Sequence, residues 1–211
     1  SESHPGRNGE NPLLSGCPAD FDRLIEAVGP ASMLVLIRSR MGALLLERLE
    51  PEDIWQEALI HAWRDRESLE WQGLKAFRRW LLQIIENRIR DAADHEEAAK
   101  RGSGESLLSL DAGSTWSGAS ASTPPLPLAS TTPSRIAVHR EQARAMQQAL
   151  EALDEEERDI VRLRLFEDLT IDEVAGATGL TPATAKYRLR KAVELYHSRL
   201  VALLGSRSSE T

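Results

Sequence analysis

The sequence predicts an all-α protein of two small helical domains joined by a long flexible linker, and three observations carry that expectation. Apolar residues recur at helical spacings of three and four over residues 19–101 and again over 135–204. Between these blocks, residues 102–134 are rich in Ser, Thr, Gly and Pro and contain no basic residue, a composition that cannot bury enough apolar surface to order itself. Residues 169–191 carry two helix starts in quick succession.

In chain order, residues 1–18 are polar and glycine-bearing without periodicity, which predicts a disordered tail. Phe21, Leu24, Ile25 and Val28 then form one apolar stripe that Gly29-Pro30 ends. A second helix is expected from about Ala31 to Leu49, with Leu34, Ile37, Met41, Leu44 and Leu45 on its buried side. The third, Glu52 to about Arg66, starts behind Pro51 with two acids at the positive end of its dipole. Ala58, Leu59, Ala62 and Trp63 would face inward there, and Asp53, Gln56 and Glu57 would lie on another face. A loop from Glu67 to Gly73 holds Trp71. The long helix after it, Leu74 to about Lys100, carries a core stripe of Phe77, Trp80, Leu81, Ile84, Ile85 and Ile89. Its outer faces bear Arg78, Arg79, Gln83, Asn87, Arg88 and Arg90. Phe77, Trp80 and Trp63 read as core, which leaves Trp71 as the aromatic free for another use.

The C-terminal block reads as four helices followed by a second tail, 205–211. Ala143, Met146, Leu150 and Leu153 stripe the first, from near Ser134. Asp154 would cap the second, with Glu155, Glu156 and Glu157 complementing its dipole and nothing more, and with Ile160, Val161, Leu163, Leu165 and Phe166 as core. In LTIDEVAGATGLTPATAKYRLRK, Thr170 and Glu173 form a capping box, and Leu169 and Val174 a hydrophobic staple. Gly179 can take the left-handed conformation that ends this helix. Thr181 caps the next, with Pro182 at its first position, where a missing N–H costs nothing. Two helices joined so tightly read as a helix-turn-helix. On the second, Ala185, Leu189, Ala192 and Leu195 would face the core, and Lys186, Tyr187, Arg188, Arg190 and Lys191 the other faces. Four cations and one aromatic within six residues suit entry into a major groove with phosphate neutralisation. Arg162 and Arg164 precede the pair, where the first helix of such motifs approaches phosphates.

Composition narrows the function classes. The chain holds 26 basic and 33 acidic residues, net −7, and no segment is strongly basic, so tight autonomous DNA binding driven by counterion release is not expected. A borrowed DNA-binding platform would explain the balance better. The single Cys17 excludes an internal disulfide and a multi-cysteine zinc site, which fits a reducing compartment. There is no signal peptide pattern, and the most apolar stretch, Met33 to Leu46, is interrupted by Arg38 and Arg40, so no membrane insertion is expected. His61 and His95 have no metal-ligand spacing, and no nucleophile motif or glycine-rich phosphate loop is present. The expectation is therefore no cofactor, no metal and no enzymatic activity.

The order of residues in DIWQEALIHAW and then FRRWLLQIIENRIRDAADH closely resembles region 2 of bacterial sigma factors of the extracytoplasmic-function group, where an acid-x-x-Gln-Glu helix leads to an aromatic-rich segment ending near an Asn. ALEALDEEERDIVRLRLFEDLTIDEVAGATGLTPATAKYRLRKAVELY resembles region 4 of the same family. The resemblance covers about residues 20–101 and 136–203, and both halves in this order are far more specific than an isolated helix-turn-helix.

That resemblance implies a cytoplasmic, nucleoid-associated bacterial protein that binds core RNA polymerase and promoter DNA, with an anti-sigma factor as a further partner. Asp53, Gln56 and Glu57 would lie against the clamp coiled coil of β′, and region 4 would meet the β flap. Trp71, Arg78, Arg79, Asn87, Arg88 and Arg90 would hold the separated non-template strand of the minus-ten element with a flipped base. Thr184, Lys186, Tyr187, Arg188, Arg190 and Lys191 would read the minus-thirty-five element as duplex, with Arg164 on its backbone. The linker would thread toward the polymerase cleft, Glu105 and Asp111 imitating nucleic acid there. The family's arginine run after the Asn is diluted here by Asp91, Asp94, Glu96 and Glu97, and Ala185 and Tyr187 are not its commonest choices, so no promoter sequence is carried over. An autonomous helix-turn-helix regulator is the alternative; co-purification with core polymerase separates the two. A decoy that binds polymerase but no promoter is a third.

Overall fold

The computed structural model of the chain describes residues 12–101 and 132–207. The linker expected over 102–134 lies outside them up to residue 131, as do residues 1–11 and 208–211 of the two expected tails. Among the described residues every regular element is a helix: α1 (Pro18–Val28), α2 (Pro30–Arg40), α3 (Ala43–Leu46), α4 (Pro51–Asp65), α5 (Leu74–Arg101), α6 (Pro133–Glu151), α7 (Glu155–Val161), α8 (Ile171–Thr178) and α9 (Pro182–Arg207), with short 3-10 turns at Pro12–Ser15 and Arg66–Ser68 and a π turn at Arg162–Phe166. Prolines stand first in α1, α2, α4, α6 and α9, where their fixed φ suits the helix and no N–H is missed. The described residues divide into two compact units, one of 12–29, 37–101 and 132–136, the other of 30–36 and 137–207.

In the first unit α4 packs on α5. Ile54, Trp55, Ala58, Leu59 and Ala62 of α4, Phe77, Leu81, Ile85 and Ala92 of α5, and Phe21, Ile25 and Val28 of α1 are buried. Phe21 meets Trp63 edge-on with ring centroids 5.3 Å apart and Phe77 at 6.2 Å. Phe77 also lies 5.8 Å from Trp80 and 6.3 Å from Trp71. Such pairs add about 0.5–1.5 kcal/mol each beyond the area they bury.

Several expectations are corrected here. The tail expected to Pro18 ends earlier, because Pro12–Ser15 forms a turn of 3-10 helix whose Leu13 is only 2% exposed. The single helix expected over Ala31–Leu49 is broken: Met41 is extended (φ −72, ψ 127) and Gly42 starts α3. A glycine inside a helix costs about 0.5–1 kcal/mol relative to alanine, and the break keeps Met41 and Leu45 buried while turning Leu44 out to 59% exposure. α2 has no single buried stripe, since Ala31 and Met33 through Ile37 are all buried, the pattern of a helix apolar on every side. Trp71 is not free, being half-buried against Phe77. Ile84, Ile89 and Trp80 are half-buried.

In the second unit α7 and α8 both pack on α9. Ile160, Val161, Phe166, Val174, Ala175, Ala185, Ala192 and Tyr196 are buried. Phe166 and Tyr196 meet edge-on at 6.2 Å, and burial pushes the Tyr196 phenol up to about 12. The expected core positions Leu165 and Leu195 are exposed. The π turn adds a residue to the helical repeat, which rotates Leu165 outward and Phe166 inward. On α9 the buried line runs Ala185, Ala192, Tyr196, so a tyrosine replaces the leucine beside it. Asp154 stands at the N-cap of α7 in extended conformation without a side-chain bond to the helix. The end of α6 is closed by Arg158, which donates to the carbonyls of Leu150 (3.1 Å), Glu151 (3.2 Å) and Leu153 (2.9 Å), satisfying acceptors the helix leaves open.

Candidate nucleic-acid interface

The helix-turn-helix is built by local chemistry. The Thr170 hydroxyl accepts from the Glu173 N–H at 3.3 Å, while the Glu173 carboxylate accepts from the Thr170 N–H at 2.7 Å, so two open donors of α8 are satisfied together. Gly179 closes α8 with φ 67 and ψ 20, a left-handed conformation that a side chain disfavours. At the start of α9 the Thr184 N–H donates to the Thr181 hydroxyl at 3.2 Å, and the two hydroxyls lie 2.9 Å apart. Thr184 thus belongs to the cap that sets the angle of α9, whatever else it touches.

Beyond the cap, α9 presents Lys186, Tyr187, Arg190 and Lys191 as exposed side chains and Arg188 as half-exposed. Tyr187 is 64% exposed, and the Arg190 guanidinium sits 5.9 Å from its ring centroid, a cation–π distance. Arg188 is paired with Glu156, and the Lys191 ammonium lies 3.3 Å from Glu157. The acids at the front of α7 therefore do more than complement its dipole. Arg164 donates to the Leu169 carbonyl at 3.1 Å and meets Asp168 at 3.5 Å, and Asp168 has φ 56, so Arg164 braces the turn leading into α8. Arg162 is tied to Glu167 and Asp159.

In the first unit the candidate residues separate by what they touch. Arg79, Asn87 and Arg90 are exposed, with Arg90 donating to Asn87 at 3.4 Å. Arg78 turns inward and donates to the Val28 carbonyl at 2.7 Å, the last turn of α1. Arg88 is held between α4 and α5: its guanidinium lies 3.1 Å from His61 Nε2 and 2.6 Å from Asp91. A guanidinium can only donate, so His61 Nε2 accepts and its ring is neutral. Burial lowers the His61 pKa from the ordinary 6.5, with Arg88 and Arg64 adding to the effect against Asp65 and Asp91. Burial raises Glu57, against the pull of Arg88 and Arg64. Asp53 accepts from the Glu50 N–H at 2.9 Å and so caps α4, and Gln56 is exposed beside it.

Residues 32–98 match the family model described as sigma-70 region 2, and residues 143–195 that described as sigma-70, region 4. Together these cover more than half of the 211 residues. The chain belongs to the sigma-70 family.

Solved structures similar to this sigma-70 chain include CnrH in complex with the cytosolic domain of CnrY, at 18% identity and TM-score 0.35 over 92% of this chain and 93% of that one. The RsbN–BldN complex matches at 20% identity and TM-score 0.30 over 87% and 94%. The sigma factor RpoE in complex with the anti-sigma factor NepR from Bartonella quintana matches at 20% and 0.32 over 88% and 97%. No curated protein sequence matches the chain. All the polymerase and minus-ten candidates fall inside the region 2 match of this sigma-70 protein, and all the minus-thirty-five candidates inside its region 4 match. Sequence reasoning missed the partners of those residues: His61 for Arg88, Glu156 for Arg188 and Glu157 for Lys191. A spacing of 27 residues or more separates each such pair, beyond any periodic signal. Among the described residues there is no group of His, Cys, Asp or Glu that could hold a metal, and no helix long and apolar enough to cross a membrane.

Proposed function

We propose that this sigma-70 protein is a promoter-specificity subunit of the extracytoplasmic-function group, which binds core RNA polymerase in the bacterial cytoplasm and directs it to start transcription. The observation that carries this reading is the pairing of a region 2 match with a region 4 match whose α9 presents Lys186, Tyr187, Arg188, Arg190 and Lys191 away from its buried line. Region 4 would read the minus-thirty-five duplex through those residues and Thr184, which also sets the angle of α9, with Arg164 on the DNA backbone. Region 2 would open the minus-ten element, Arg79, Asn87 and Arg90 holding the displaced strand. Trp71 would edge a pocket for a flipped base, whose unstacking costs a few kcal/mol. Arg78 and Arg88 would shape that surface through the α1 end and α4. Asp53, Gln56 and Glu57 would meet the β′ clamp, and region 4 the β flap. The polymerase supplies the catalysis. It also supplies most of the positive surface, which reconciles a net charge of −7 with work on DNA.

Run-off transcription with core polymerase on fragments of the source genome tests the reading and yields the promoter together. Defined transcripts that require the chain are expected; their absence, with no co-purification of core polymerase, overturns it. On the promoter so found, Arg188→Ala or Lys191→Ala should weaken binding by about 1–3 kcal/mol if base edges are touched, and mainly lower the salt slope if only phosphates are. An anti-sigma partner would appear in the same co-purification.

A further inference from the structure

We propose that Glu156 and Glu157 are specificity-determining residues of the region 4 reader: built-in anions that occupy Arg188 and Lys191 until a duplex displaces them. The inference rests on α9 being the DNA-reading helix. The first turn of α7 sets two successive carboxylates against two cations one helical turn apart on α9, Glu156 on Arg188 and Glu157 on Lys191. Glu157 is 13% exposed whereas its partner Lys191 is 70% exposed, so the acid is held in place and the lysine is the member free to swing away. Glu155, Glu156, Glu157, Tyr187, Arg188 and Lys191 line one open groove of about 570 Å³. The remaining reading residues are not so covered: Lys186 has no ion pair among the described residues, and Arg190 lies over Tyr187.

The consequence follows from counterion release. Cations condensed on DNA are released when a protein cation neutralises a phosphate, and an Arg or Lys already held by a carboxylate must leave that acid before it can do so. Random DNA offers phosphates but few matching base edges. A promoter offers the matching edges as well, and these add to what the phosphates contribute. The two acids therefore lower binding to arbitrary sequence and leave the promoter preferred.

The test uses the full chain, a short fluorescent duplex of arbitrary sequence, and anisotropy over a range of salt. Glu156→Gln/Glu157→Gln should bind about three- to tenfold more tightly at low salt than the unaltered chain, a few-fold per ion pair. Its plot of log affinity against log salt should be steeper by about one to two, at about 0.9 per phosphate neutralised. Glu155→Gln removes a charge from the same turn without an α9 partner and should give a smaller gain with little change of slope. In an Arg188→Ala background, Glu156→Gln should give no more than the small gain of Glu155→Gln and no change of slope, which separates unmasking from a long-range charge effect. Binding by the double variant alone is the same result in its strongest form. Equal affinity and slope, equal gains from Glu155→Gln and Glu156→Gln, or no binding by any variant overturns the proposal. If Arg188→Ala and Lys191→Ala leave promoter binding by the holoenzyme unchanged, it is the reading of α9 that fails instead.

Discussion

Arg78, Arg79, Arg88 and Arg90 share one helix and one residue type, yet their surroundings give them different work. Arg78 is bound to the Val28 carbonyl, and a hydrogen bond from a charged donor is worth about 1.5–3 kcal/mol. Arg78→Ala should therefore lower the unfolding free energy read from a urea titration by that order, whereas Arg79→Ala, on an exposed side chain, should leave it within about 0.5 kcal/mol. Comparing the two free energies checks this, and equal losses would contradict the assignment. His61 gives a pH signature. Its folded pKa lies below the ordinary 6.5, so the unfolded chain binds the proton more readily, and the stability His61 contributes is present above about 6.5 and lost as pH falls through the folded value. Glu57 runs the other way: its pKa is raised from 4.5, so its contribution is present below 4.5 and lost as pH rises through the raised value. Urea titrations at pH 7.5 and 5.5 should show a loss on acidification that His61→Gln reduces; an identical loss in the variant would count against the neutral ring beside Arg88.

Among the elements, α8 and the start of α9 are fixed by caps that act locally. Thr170→Ala removes the accepting half of the capping box and should cost about 0.5–2 kcal/mol. Gly179→Ala meets no neighbouring atom but keeps φ at +67, so its whole effect is backbone strain, about 1–2 kcal/mol. Thermal melting of both variants provides the check, and a neutral Gly179→Ala would mean that the turn can relax. These elements were legible in the sequence because cap, glycine and proline signals lie within a few residues of the bonds they make. The second helix was not. Its apolar residues run on past Gly42 at helical spacing, so nothing in the pattern marks the break at the extended Met41, where Gly42 starts a new helix. Leu165 was misplaced because it lies within the π turn, whose wider repeat an α-helical spacing does not anticipate.

For the molecule as a whole, charge sets the terms. With a net charge of −7 the free chain should bind promoter duplex weakly at physiological salt, and adding core polymerase should tighten binding by orders of magnitude. Anisotropy of one labelled promoter, with and without core polymerase, measures the difference; comparable affinity in both would favour an autonomous regulator. Read alone, the residues determined that the described chain is helical, where most helices begin, that a helix-turn-helix closes the second half, and which side chains α9 carries. All of these depend on contacts within a turn or two, which periodicity and capping chemistry encode. Only the tertiary structure decided which cations are already engaged: Arg78 at the end of α1, Arg88 beside His61, Arg188 and Lys191 on the acids of α7. Long charged side chains take the partner that folding brings within reach, and here that partner lies 27 to 50 residues away.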